Sequence, residues 1–317
     1  MKRQLKRVLF VCILAILAVG LKYSSGKAHP RIKSLVKRCA AVVAPRSVFA
    51  QGVTVLWSAD MEPVAGGSGS STLGEWYEPN CCEGDDVNPP VPTADNNGGG
   101  VYNSGIASAG PSFDFAHSGT YSAMLKVDTS NNPPNTTSGT RLFRWLEPKM
   151  NNSNSDLYYS VWFYFPIAYT PNGTPNNWWN IFQWKSKSVS QGKNDPMFNL
   201  EVTNWGGQMY LYLCPPAFVN GGNCYTQSGP PYTNIPVGQW THVEARYVCS
   251  GLSNGGHVTI WQDGTQLWDI ANVQTRYGYS DAECSWSVNN YSNGLSPNPA
   301  TIYVDDAKIC QGGHCPL

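Results

Sequence analysis

From Val53 onward the chain shows almost no helical periodicity. Short runs rich in Val, Tyr, Trp, Phe and Thr alternate with clusters of Gly, Pro, Asn and Ser, the pattern of strands joined by turns. Side chains alternate between the two faces of a strand, so each run assigns its own faces. In Tyr158 to Phe165 (YYSVWFYF), Tyr159, Val161, Phe163 and Phe165 are expected in the core, with Tyr158, Ser160, Trp162 and Tyr164 opposite. In Met197 to Thr203, Phe198, Leu200 and Val202 turn inward, leaving Asn199 and Glu201 outward. In Trp240 to Tyr247, Val243, Ala245 and Tyr247 are core positions, and His242, Glu244 and Arg246 share the other face. The same rule pairs Tyr210 with Tyr212 and Asn289 with Tyr291. His257 to Trp268 reads as two strands about Asp263-Gly264, a strong hairpin signal. Gly66 to Gly100 and Asn131 to Gly139 read as loops. The expectation is an all-β, two-sheet antiparallel sandwich in one large domain, a size that such folds routinely reach.

Residues 8 to 21 form an uninterrupted apolar run preceded by Lys2, Arg3, Lys6 and Arg7, the order of an export signal and short for a membrane span. A basic stretch follows to Ala50, so residues 1–50 are expected to be a signal peptide or signal anchor with a basic linker, and 51–317 the folded domain. The alternative is an uncleaved anchor. Either way the domain is expected in a secreted, periplasmic or otherwise extracellular setting.

Charge sharpens this division. The chain has 21 Lys+Arg and 21 Asp+Glu, but 11 of the basic residues and none of the acidic ones precede position 51, leaving 10 − 21 = −11 for the domain. That balance argues against nucleic acid as partner, since phosphate binding needs a basic surface, while a few clustered cations remain compatible with an anionic sugar. Eight of the ten cysteines lie in the domain, which in an exported protein predicts disulfides. Cys214 with Cys224 and Cys310 with Cys315 are the expected short-loop pairs. A metal held by Cys310, His314 and Cys315 is the weaker reading, because it leaves a tetrahedral site incomplete.

Tyr, Trp, Asn, Glu, Arg and Gln in register on the non-core face of several strands suit a sugar-binding groove, where rings stack on pyranoses and planar polar groups hold hydroxyls or carboxylates. The competing reading is a solvated outer face, which would carry more Lys, Glu and Thr and fewer large aromatics. On this basis Trp162, Tyr164, Asn199, Tyr210, Tyr212, Glu244, Arg246 and Asn289 are candidate substrate-binding residues. Gln183 and Lys185 share a strand face suited to a carboxylate. Arg141 and Arg144 differ by three positions and point to opposite faces; Arg144 is assigned to the groove, with pairing to Glu147 the structural alternative. Glu244 and Arg246 are either an ion pair orienting substrate or merely an ion pair. Glu201 would repel an acidic sugar unless paired. Asp60 and Glu62 near the first strand, with Asp305 and Asp306 near the last, could supply oxygen ligands to one structural Ca²⁺ or simply cap turns.

Five stretches carry a resemblance: Gly139 to Trp145 (GTRLFRW), Tyr158 to Pro166, Trp178 to Lys185 (WWNIFQWK), Pro236 to Glu244 and Thr301 to Ala307. Taken in order, they resemble the heparin-lyase-like polysaccharide lyases with a concanavalin-like jelly roll, over about Val53 to Ile309. The resemblance implies a two-sheet jelly roll whose concave sheet binds an acidic polysaccharide and cleaves it by β-elimination, without a cofactor for catalysis. In such lyases an Arg, Gln or Asn neutralises the uronate carboxylate and stabilises the charge that develops as the C5 proton leaves; a Tyr or His moves the proton. The glutamine-centred motif falls on Phe182-Gln183-Trp184-Lys185, with Lys185 where relatives place His. The C-terminal Tyr motif falls on Ser287 to Tyr291, which makes Tyr291 the expected proton-transfer residue, with a binding-platform or structural Tyr the alternative; His242 could be the missing His base, or a structural histidine. The rival functions are a noncatalytic carbohydrate-binding protein and a glycoside hydrolase, which would need two carboxylates flanking the scissile bond.

Overall fold

The computed structural model describes residues 52–62, 73, 76, 99–130, 136–145, 155–173, 177–188 and 190–317. The expected export segment, Glu147, Cys81 and Cys82 lie outside these residues.

The chain forms two large antiparallel sheets, in agreement with the sequence pattern. The first joins β1 (Thr54–Ala59), β3 (Ile106–Ser112), β4 (Ser122–Asp128), β6 (Ser155–Tyr164), β12 (Trp240–Cys249), β13 (Gly256–Gln262), β14 (Thr265–Val273) and β17 (Ala300–Gln311). Its order is β14-β13-β12-β6-β17-β4-β3, with β1 also paired to β17. The second joins β2 (Gly99–Ser104), β5 (Ser138–Trp145), β8 (Trp179–Ser188), β9 (Lys193–Trp205), β10 (Gln208–Cys214), β11 (Asn234–Ile235) and β15 (Glu283–Ser292), in the order β11-β10-β9-β8-β15-β5-β2. A small ribbon pairs β7 (Thr170–Pro171) with β16 (Leu295–Ser296). The hairpin at Asp263-Gly264 forms, and both turn residues take positive φ, as a two-residue turn requires.

The inward faces meet as alternation predicts. Tyr159, Val161, Phe163, Phe198, Leu200, Val202, Val243, Ala245 and Tyr247 are all buried. Rings from the two sheets pack directly on one another: Trp184 of β8 stacks on Tyr247 of β12 at 4.6 Å, and Tyr159 of β6 lies 5.2 Å from Trp286 of β15. Each such side chain contributes roughly 1.5–3 kcal/mol of apolar burial. The Cys249–Cys284 disulfide joins the end of β12 to the start of β15 and so ties the two sheets covalently. Sequence reasoning left this pair open. The two short-loop pairs form as expected, and the 310–315 disulfide removes both thiolates from any metal reading.

Candidate active site

The outer face of the seven-stranded sheet carries a cavity of about 520 Å³. Strand register brings its side chains together. Tyr291 pairs with Asn180, Asn180 with Glu201, and Glu201 with Tyr212, forming one row across β15, β8, β9 and β10. Ser287, Gln183 and Asn199 form a parallel row. Arg141 enters from β5, opposite Asn289 and Tyr102, and Lys185 lies two residues beyond Gln183.

Asn180 and Gln183 are three residues apart, yet both line the cavity. A bulge between Asn180 and Phe182 inserts Ile181 and resets the parity of β8, so simple alternation would have separated them.

Tyr291 is half-buried at the wall. Its ring meets Trp178 edge-on at 4.8 Å, the Arg141 guanidinium lies 4.3 Å over it, and its hydroxyl accepts a hydrogen bond from Thr137 Oγ1 at 3.2 Å. The opposite wall is a relay. Gln183 Nε2 donates to Asn199 Oδ1 at 2.8 Å, and Tyr212 donates to Glu201 Oε2 at 2.7 Å. Burial raises the Glu201 carboxyl above its ordinary range despite the opposing hydrogen bonds from Tyr212 and Asn199. Gln183 Oε1 and Ser287 Oγ are buried without a hydrogen-bond partner among the described residues. Among the lining residues Arg141 and Lys185 are the cations and Glu201 the acid.

Gln183, Lys185, Asn199 and Tyr291 of the expected residues thus share one cavity, with Tyr212 beside it through Glu201. Asn289 is wholly buried at its floor, where Nδ2 donates to Asn180 Oδ1 at 2.5 Å; its place is to orient Asn180. Tyr210 lies one row further along, against a second depression.

Six expectations are corrected. Arg144 is paired with Trp286 and Gly99 on the core-facing side, buried, with its guanidinium 5.1 Å over Trp57; Arg141 takes the groove position instead. Trp162, Tyr164, His242, Glu244 and Arg246 stand on the outer face of the other sheet, because β6 and β12 are neighbours there. The core separates them from the cavity. Trp162 stacks on His117 at 3.9 Å and Tyr164 on Phe115 at 4.2 Å. His242 Nε2 meets Ser160 Oγ at 2.7 Å, and burial lowers its pKa. Glu244 accepts from the Cys315 backbone N–H at 2.8 Å and pairs with His314. Arg246 forks onto Asp156 at 2.8 and 2.6 Å rather than pairing with Glu244. Convergence of all these side chains on one trough therefore does not occur.

Three of the four carboxylates considered for calcium hold the loop of residues 117–121, and Asp60 caps the chain just after β1. Asp60 Oδ1 accepts from Glu62 N, and Glu62 Oε1 from the N–H groups of Thr120 and Tyr121. Asp305 accepts from His117, Ser118 and Asp306 N–H groups, and Asp306 from Ser118 Oγ, with His117 Nδ1 2.7 Å away. Among the described residues no group of three or more His, Cys, Asp or Glu side chains is placed to hold a metal ion.

Arg141, Asn180, Trp178 and Tyr102 were missed as site residues. For Arg141 the available signal was the opposite-face rule itself; for Asn180 it lay in the bulge, which only pairing reveals.

The fold is thus a two-sheet β-sandwich with an amide-, cation- and tyrosine-lined trough on one outer face. Residues 112–308 match the model of the polysaccharide lyase family, and the chain belongs to that family. No curated protein matches the sequence. Among solved structures, the endo-β-1,4-glucuronan lyase of the fungus Trichoderma reesei superposes with a TM-score of 0.51 at 14% identity, over 81% of this chain and 95% of that one. An alginate lyase from Klebsiella pneumoniae gives 0.43 at 14% identity over 62% and 83%. At 14% identity the likeness to the glucuronan lyase is one of fold.

Proposed function

We propose that the protein is an exported lyase that cleaves a uronate-containing polysaccharide by β-elimination. The three disulfides among the described residues suit an oxidising compartment. One observation carries the reading: Tyr291 shares a cavity with Arg141, Lys185, Gln183 and Asn199 in a domain whose sequence is otherwise acidic. Cations and amides beside a tyrosine suit a substrate that is itself an anion.

In the proposed step the uronate carboxylate lies against Arg141, Lys185 and the Gln183–Asn199 amides. These groups stabilise the enolate-like charge that builds as C5 loses its proton, and they do so without reorganising. The Tyr291 phenolic oxygen, acting as the base, takes the C5 proton. The C5–H electron pair becomes the C4–C5 double bond, the C4–O4 bond breaks, and the phenol returns the proton to the leaving O4. Glu201, held by Tyr212 and largely buried, approaches neutrality more readily than an exposed acid. This lessens its repulsion of the substrate.

Incubation with glucuronan, alginate and heparin-like chains tests the proposal through the ultraviolet absorbance of the unsaturated uronate. Tyr291→Phe should lower the rate by about 10²–10⁴ while polymer binding persists. Polymer binding with no absorbance change in the wild type would make the protein a binding module, and full activity in Tyr291→Phe would remove Tyr291 from the chemistry.

A further inference from the structure

The same sheet face carries a second depression of about 430 Å³, lined by Trp205, Tyr210, Tyr212, Thr226, Gln227 and Tyr232 among others. None of its lining residues is charged. We infer that it is a distal sugar subsite that stacks a ring of the same polysaccharide chain through Trp205 and Tyr232, independently of that ring's carboxylate. The inference rests on the lyase reading for its direction: the chain enters here and reacts at Tyr291.

Continuity is the first argument. Tyr212 lines this depression, and its hydroxyl bonds Glu201, which lines the first. Along β9, Asn199, Glu201, Thr203 and Trp205 alternate onto one face, and each pairs with β10 from Cys214 back to Gln208. Glu201 to Trp205 is four residues, about 14 Å of strand, a span of several linked rings. A chain lying in the first cavity and running past Tyr212 meets Trp205 without a change of face.

The second argument is exposure. Trp205 is 69% exposed and Tyr232 38%, large costs in apolar area for a sheet margin unless something covers them. Their rings lie 6.1 Å apart at 65°, and Tyr210 closes the corner 5.9 Å from Tyr232. An aromatic corner offers a flat face to the C–H side of a pyranose, and amides and hydroxyls at its rim to the ring's hydroxyl groups.

Third, the wall is rigid. The Cys214–Cys224 disulfide anchors the chain just before the segment that supplies Thr226, Gln227 and Tyr232, Leu213 and Tyr225 exchange backbone hydrogen bonds at 3.0 and 2.7 Å, and Trp268 Nε1 donates to Thr226 O at 3.2 Å. Gln227 is fixed by Thr233, accepting from its N–H at 2.7 Å and donating to its carbonyl at 2.9 Å. A site built this way binds without first ordering a loop. Charge selection then belongs to the Tyr291 row and chain-length selection to this corner.

The test uses the full folded domain in a Tyr291→Phe background, so that ligand binds without being cleaved. Affinities are measured by calorimetry for a trisaccharide and an octasaccharide of glucuronan, of alginate and of a neutral β-1,4-linked glucan. The preference for octasaccharide over trisaccharide should fall about tenfold in both Trp205→Ala and Tyr232→Ala, with thermal midpoints retained because both side chains are exposed. A length preference that survives both substitutions overturns the subsite. If wild type cleaves no uronate polymer, the lyase reading fails; the subsite still stands if the neutral octasaccharide binds in a Trp205-dependent way, and falls if no chain binds.

Discussion

Gly139→Ala isolates the position of Tyr291 from its chemistry. Gly139 pairs with Tyr291 across β5 and β15. A Cβ built on it would lie 2.0 Å from Tyr291 Cδ2, 2.8 Å from Cγ and 2.9 Å from Cε2. Carbon atoms in contact sit about 3.5–4.0 Å apart, so the ring must move by about 1.5 Å. It has little room to do so, being bounded by Trp178, by the Arg141 guanidinium and by the Thr137 hydrogen bond. Misplacement of a reacting group by about 1 Å costs on the order of 10²-fold in rate, while overpacking by one methyl costs about 1–3 kcal/mol of stability. Turnover of saturating polymer, followed by absorbance of the unsaturated product, should therefore fall about 100-fold in a variant that still unfolds cooperatively. Combining Gly139→Ala with Tyr291→Phe should add little to Tyr291→Phe alone, since both act through one hydroxyl. A folded Gly139→Ala with wild-type kcat would refute the argument, because the hydroxyl would then tolerate displacement that a proton-transfer group does not.

Two further outcomes distinguish the faces of the sandwich. Arg141→Ala should raise KM for an anionic polymer about tenfold or more, whereas Arg144→Ala, which removes a buried guanidinium stacked on Trp57, should lower the thermal midpoint and spare KM; kinetics and melting of the pair read both, and the reverse pattern would return Arg144 to the groove. Asp305 is wholly buried, and burial pushes its carboxyl up to about 6 against three backbone N–H groups. The folded state then binds more protons than the unfolded one between pH 4 and 6, so this group's contribution favours folding at low pH and is lost as pH rises through that window, by about 3 kcal/mol in all. The urea midpoint of wild type should fall relative to that of Asp305→Asn as pH rises from 4 to 6 and hold a constant offset outside that window; a difference that does not vary with pH would count against the raised carboxyl.

Alternation along each strand made the core legible, because burying one face of a sheet leaves a period of two in the sequence. Phe198, Leu200 and Val202 on β9, and Val243, Ala245 and Tyr247 on β12, needed nothing more. The same rule is blind to which sheet a strand joins. His242 and Glu244 on β12 show the same inward-outward pattern as Asn199 and Glu201 on β9, yet a sandwich has two outer faces, and β12 pairs with β6 while β9 pairs with β8. That choice is made by contacts far apart in sequence. It is visible locally only where covalent or packing links cross the core, as the Cys249–Cys284 pair does between β12 and β15.

The bulges on β8 and β15 are the second place where local reading fails, and they fall at the site itself. On β8 the extra residue lies between Asn180 and Phe182; on β15 the register to β8 shifts between Val288 and Tyr291. Regular pairing there would send Asn180 to the core side and break the row that links Tyr291 to Glu201. The bulges instead turn Asn180 outward beside Gln183, and Asn289 fixes it from below. A strand can thus present two consecutive polar rows to a substrate while its remaining side chains still fill the core, which unbroken alternation along β8 would not allow.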